Sequence, residues 1–285
     1  MTIRSLAFSC AVFAIGACAT SRRSGGSGPD AAGAGGDVGG GGSGNSYLVY
    51  AHSDTVLYSI DVSAKTLITV GNYNAPVVGT KPDVITDLAV APDGTIYVVS
   101  ETAIYTASAV DGHVTKVGSL SACGQRIVAL TTTADGRLWA GDYMGAICQI
   151  DITVSPPVVK APVMMQGGLA LSGDMVGVGN GTVYGTAYKL SDPSGSGTQI
   201  NNVLVKVDVA TGAVTQVGAS GFPKLFGVAF QQNQAFGFTH DGTGRVVTMD
   251  LTTGAGTMFG TFMDPATNKG IYFAGAGVNS LIVVQ

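Results

Sequence analysis

The chain has 285 residues, a formal net charge of −4, and charged side chains at only 11% of positions, against roughly 25% in ordinary globular proteins. It contains no run of Lys and Arg, so composition argues against a nucleic-acid partner, which needs a basic face. Its 43 glycines and the absence of any sustained i, i+3, i+4 apolar pattern argue equally against a helical fold.

The first element in chain order is a leader. Arg4 supplies a short positive region, and Leu6 to Ala17 is an apolar stretch of 12 residues, too short to cross a hydrocarbon layer of about 30 Å as a helix. It ends in Ile15-Gly16-Ala17-Cys18. That run resembles the lipobox of bacterial lipoprotein signal peptides, in which cleavage before the cysteine leaves a thiol that receives a diacylglycerol. The resemblance implies a signal peptide over 1–17 and lipidation at Cys18. It also implies export and anchorage to a membrane of the cell envelope, either the outer membrane or the cell surface. An ordinary secretory signal is the alternative. Of the 22 residues from Ser24 to Asn45, 11 are glycine, so 18–45 is expected to be a lipidated cysteine followed by a flexible tether. The remaining segment, 46–285, is long enough for one large core.

Within that segment a ten-residue spacing recurs: Asp61 to Gly71, Ser108 to Gly118, Asp151 to Ala161, Asp208 to Gly218 and Asp250 to Gly260. Asp61 to Asp250 is 189 residues in four steps, an average near the blade length of a β-propeller. Short strands rich in β-branched and aromatic residues align on this spacing. Unit one reads 47–51, 56–61 and 66–71. Unit two reads 87–94, 95–101, 103–108 and 110–118. Unit three reads 129–136, 137–142, 146–151 and 158–163. Unit four reads 174–181, 182–188, 203–208 and 213–218, and unit five reads 227–234, 235–240, 245–250 and 256–260. Unit one lacks its first strand, which 273–279 is expected to supply. The fold expected is therefore all-β, a propeller of five four-stranded blades closed by N- and C-terminal strands sharing a blade. The run 280–284 duplicates 47–51 and leaves a six-bladed ring as the alternative.

In a propeller the first–second and third–fourth strand turns share one face of the ring. Here those turns are short and alike, and the aspartates 61, 151, 208 and 250 at the ends of third strands read as turn caps. The other face carries loops that do not repeat. It holds His52, Asp54, Glu101, Asp142, Tyr143, His240 and Asp241, with Arg126 and Lys224, and is the expected ligand face. Convergence of His52, Glu101, Asp142 and His240 on a metal is a minor alternative. Trp139 is expected between blades. In an exported chain Cys123 and Cys148 either form a disulfide or remain two buried thiols.

The text LAVAPDGTIYVVS followed by IYTASAVDGHVTKVG resembles the broad superfamily of NHL-like, lactonase-like and quinoprotein-like propellers. The quinone-binding members close each blade with a tryptophan, which DVATGAVTQVG and DLTTGAGTMFG lack, so no cofactor is expected. Lactonase-like members hold calcium in the channel; the acidic residues on the inner strands here are Asp87 and Asp174, and calcium needs six or more oxygen ligands. The function expected is an envelope-anchored, monomeric binding or scaffolding module for an unknown protein, small-molecule or glycan ligand. A metal-dependent hydrolase and a purely structural envelope component are the alternatives.

Overall fold

In the computed structural model, which describes residues 48–191 and 201–278, five antiparallel sheets form a five-bladed β-propeller. Blade one runs outward from the axis as Gly275–Gly277, Leu48–His52, Val56–Asp61 and Thr66–Asn72. Blade two is Ile85–Val90, Ile96–Ser100, Ala103–Ala107 and Val114–Ser119. Blade four is Leu169–Gly177, Val183–Lys189, Asn201–Val207 and Val214–Pro223; blade five is Leu225–Gln231, Gln234–Thr239, Arg245–Met249 and Gly256–Thr261. The ring closes as the repeat predicts: Gly275, Ala276 and Gly277 pair with His52, Ala51 and Tyr50. The run 280–284 lies outside the described residues.

Blade three departs from its expected outer strand. Ile127–Thr132, Leu138–Asp142 and Ala146–Asp151 are continuous, but the fourth strand breaks into Val158–Val159 and Val163–Met164. Proline has no N–H to give a ladder, and Pro156, Pro157 and Pro162 surround and interrupt this segment. The segment 74–84, which joins blades one and two, is more than a plain connection. It contains a small hairpin, Val77–Val78 paired with Lys81–Pro82, turned by Gly79 in the left-handed region.

The core is divided among the blade interfaces. Five apolar clusters fill the five gaps: blades one and two, two and three, three and four, four and five, and five and one. Trp139 sits in the cluster between blades three and four. The inner strands are buried and the outer ones alternate with solvent, as expected for sheets packed face to face around an axis.

The row of aspartates is turn scaffold. Oδ1 of Asp61 accepts N–H from Ser63 and Ala64, that of Asp208 from Ala210 and Thr211, and that of Asp250 from Thr252 and Thr253. Asp151 does the same for Thr153, and Ser108 Oγ, at the position where the repeat lacks Asp, accepts from Val110. These short side chains satisfy backbone donors that a tight turn would otherwise leave unpaired.

Candidate functional site

Four of the five inner strands are bulged near their start. Pairing with the neighbouring strand slips between Ile85 and Asp87, Ile127 and Ala129, Leu171 and Met175, and Leu225 and Gly227. An extra residue in one strand falls outside the ladder's register and is re-aimed. The residues so released are Thr86, Val128, Ser172 with Gly173, and Phe226. Together with Ala274, which precedes the short inner strand of blade one, they line a cup of about 330 Å³ at the mouth of the channel. Asp54, Glu101, Tyr143 and His240, from loops of blades one, two, three and five, form its walls with Arg126 and Tyr188. Every blade contributes.

The walls are fixed by backbone and ring contacts. Glu101 O accepts from Ile127 N at 2.9 Å, Tyr143 N donates to Arg126 O at 3.0 Å, and His240 N donates to Lys224 O at 2.8 Å. Arg126 Nε lies 2.8 Å from Glu101 Oε1 with both side chains about half exposed, and the guanidinium stands 5.8 Å from the Tyr143 ring centre. Phe226 stacks on His240 at 4.9 Å, while His240 Nδ1 donates to Phe273 O at 3.0 Å. Tyr188 Oη donates to Tyr143 O at 2.7 Å.

One residue of each inner strand then stands at the hub: Asp87, Ala129 and Gly227 where pairing resumes, Asp174 still within the slip of blade four, and Gly275 in blade one. The next residue in every blade sends its backbone N–H towards the two carboxylates. Asp87 Oδ1 accepts from Leu88 at 2.8 Å and Oδ2 from Leu130 at 2.6 Å. Asp174 Oδ2 accepts from Val228 at 2.7 Å and Ala276 at 3.3 Å, and Met175 N–H adds to the same carboxylate. Inner strands have no neighbour on their axial edge, so these five donors need acceptors. Two aspartates supply them, and the small residues at the other three positions leave room. A Cβ at Gly275 would collide with Asp87 Oδ1 and His52 Nε2.

Burial pushes the Asp87 carboxyl well above the usual carboxylate range, and the neighbouring Asp174 raises it further. Burial raises Asp174 as well, although its hydrogen bonds, the one with Asp87 first, work the other way. Burial of two neighbouring carboxyls thus favours protonation of the pair. His52 is fully buried beside them. Its Nδ1 donates to Ser53 O at 2.8 Å and its Nε2 has no partner; burial lowers its pKa to about 4, with His240 a lesser cause.

This hub does not fit calcium. A cation needs oxygen lone pairs, and these carboxylates already accept N–H groups from Leu88, Leu130, Val228 and Ala276, leaving Asp174 Oδ1 open. Below the hub the channel narrows to a void of about 10 Å³ walled by inner strands of all five blades, room for one water at most. The cup is thus a blind pocket.

Of the residues expected on the ligand face, Asp54, Glu101, Tyr143 and His240 meet in the cup. His52 lies buried at the hub. Asp142 is also buried, and its Oδ1 accepts from Met144 at 2.9 Å and Ala146 at 2.8 Å, holding the turn that presents Tyr143. Asp241 is held by Thr239, Thr243 and Arg245; burial would raise its pKa, but these bonds outweigh it and bring it to about 2. His52, Glu101, Asp142 and His240 do not converge, and no group of three or more metal-binding side chains occurs among the described residues. Sequence reasoning missed Tyr188, Thr86 and Val128, and it left Ser172, Gly173 and Phe226 undistinguished within the loops of the ligand face, because nothing local signals release from the ladder. Cys123, in the loop that leads to Arg126, is joined by a disulfide to Cys148 on the third strand of blade three, with Cα atoms 5.7 Å apart.

No family model matches the chain, and no curated protein matches it. Among solved structures it is similar to a chain in the crystal structure of a nidogen/laminin complex, at 14% identity over 81% of this chain and 97% of that one, with a TM-score of 0.49. It is also similar to selenomethionine-substituted virginiamycin B lyase from Staphylococcus aureus, at 11% identity over 75% of this chain and 66% of that one, with a TM-score of 0.42.

Proposed function

We propose that this protein is a small-ligand binding module, tethered to the cell envelope through an acylated Cys18 and acting as a monomer. The observation that carries the reading is the blind cup. It draws side chains from all five blades, combines aromatic and aliphatic walls with a few convergent polar groups, and stands over a closed hub. Concave sites of this composition are where proteins bind small molecules. The hydrolase alternative would need an activating metal or an acid–base pair open to substrate. The buried carboxylates are instead taken up by backbone donors.

The test is ligand-observed NMR of the full chain in mild detergent against a library of small amphipathic fragments, repeated with Val84→Trp. Val84 lines the cup and is 47% exposed, so the larger ring fills the site without burying itself in the core. Fragments that bind the natural chain and lose binding to the variant support the reading. No binders, or binders indifferent to Val84→Trp, would contradict it. Anchorage has a separate measurement. The chain should incorporate labelled fatty acid and partition with membranes, and Cys18→Ala should abolish both; unchanged partitioning would remove the lipid anchor.

A further inference from the structure

We infer that the cup takes a neutral pyranose ring, recognised through two adjacent hydroxyl groups; this rests on the reading of the cup as a ligand site. The Arg126–Glu101 pair points to it. A site built for an anion would leave its arginine uncompensated. Here Nε is already engaged by Glu101 Oε1 at 2.8 Å, and the guanidinium is held over Tyr143. The pair is therefore neutral overall and oriented before any ligand arrives.

The pair's remaining groups are the Nη donors of Arg126 and the second oxygen of Glu101, on side chains that are about half exposed at the cup. Donors and an acceptor side by side, on two planar groups, match a vicinal diol. One hydroxyl oxygen accepts from Nη while its neighbour donates to the carboxylate. A carboxylate ligand would have to displace Glu101, and an ammonium ligand would have to approach Arg126. A neutral polyol does neither.

The rest of the cup suits the other side of such a ring. A pyranose is polar at its rim and apolar across its C–H face. Phe226, braced by His240, lies with Val128, Leu171 and Ala274 in the lining and offers apolar surface for that face. The exposed Asp54 carboxylate provides a further acceptor at the rim. The volume of about 330 Å³ is at the small end of the roughly 300–1,000 Å³ of ligand pockets, which suits one substituted ring with its chain continuing into solvent.

The experiment is calorimetry and saturation-transfer NMR on the full chain. The probes are the methyl pyranosides of glucose, galactose and mannose, with benzoate as an apolar anion of similar size. At least one glycoside should bind, with saturation strongest at ring C–H protons. Its affinity should fall about tenfold in Glu101→Gln and in Arg126→Lys, which keeps the charge but loses the planar fork. Circular dichroism of both variants should match that of the natural chain. The inference is overturned if no glycoside binds, if benzoate alone binds, or if both variants bind the glycoside unchanged. Fragment binding in the cup without glycoside binding would refute the ligand class and leave the binding-module reading intact.

Discussion

Replacing Asp174 by Ala removes the acceptor for Val228, Ala276 and Met175 N–H at the centre of the ring. A buried donor left unpaired costs about 1–3 kcal/mol. The neighbouring void of about 10 Å³ and the space of the lost carboxylate admit a water, whose two lone pairs can serve two of the three donors. One donor is left unpaired, so the expected loss is about 1–3 kcal/mol, a sizeable part of the roughly 5–15 kcal/mol that holds a typical domain. Asp174→Asn is the informative partner. Its amide oxygen can take the place of Oδ2 and keep Val228 and Ala276, while its NH₂ falls where Oδ1 has no donor to lose. That variant should lie within about 1 kcal/mol of the natural chain. The assay is urea unfolding followed by Trp139 fluorescence, since Trp139 is the chain's single tryptophan and lies between blades three and four. Equal stabilities for the Ala and Asn variants, or an Ala variant within 1 kcal/mol of the natural chain, would refute the view that carboxylates organise the axial N–H groups.

Stability should also depend on pH in a particular way. The buried aspartate pair has a folded pKa above the unfolded value near about 4, so the contribution of its protonated form is complete at low pH and is lost as pH rises. His52 is depressed from about 6.5 to about 4, so its contribution is lost as pH falls through that window. The two offset each other between about pH 4 and 6.5, and above that only the aspartate slope remains, about 1.4 kcal/mol per pH unit until the pair ionises. Urea titrations at several pH values above neutrality should show that decline, reduced in Asp87→Asn; stability rising over the same range would contradict it. The disulfide closes a loop with a sequence separation of 25, so replacing Cys123 and Cys148 together by Ala should cost about 3.5 kcal/mol in the chain-entropy account, read by the same unfolding assay, and an unchanged midpoint would count against a formed bond. Asp250→Ala should lower the unfolding midpoint only slightly by freeing the exposed N–H groups of Thr252 and Thr253, without altering ligand binding in the cup; a drop as large as that of the double cysteine variant would mean that Asp250 does more than cap its turn.

The ring was legible because its determinants are local. Asp61, Asp208 and Asp250 cap turns within three residues of themselves, and Gly and Asn fix the hairpins, so each blade writes its own period into the chain. Closure by 273–279 followed from counting strands. The hub was not legible, and Asp87 and Asp174 looked like candidate cation ligands. The groups that face them are backbone N–H donors from five separate strands, which no side-chain pattern reveals. The cup was half legible. Loop residues Asp54, Glu101, Tyr143 and His240 stood out because they fail to repeat, whereas Thr86, Val128 and Phe226 stand just before the inner strands expected at 87–94, 129–136 and 227–234 and reach the cup only through slips in pairing. Asp142 and Asp241 share the composition of the true wall residues, but nearby N–H and hydroxyl donors claim them. Asp83 and Asp264 are likewise committed, to the hydroxyls of Tyr105 and Tyr58 at 2.6 Å each.

The central claim is that ligand recognition belongs to the cup and not to the turn face. Backbone amide shift mapping of the ¹⁵N-labelled chain, titrated with the strongest binder among the glycosides and fragments, tests it most directly. Shifts should concentrate at Thr86, Glu101, Arg126, Tyr143, Ser172, Phe226 and His240, with the turns after Asp61, Asp208 and Asp250 unmoved. Shifts centred on those turns, or on the outer strands, would contradict it.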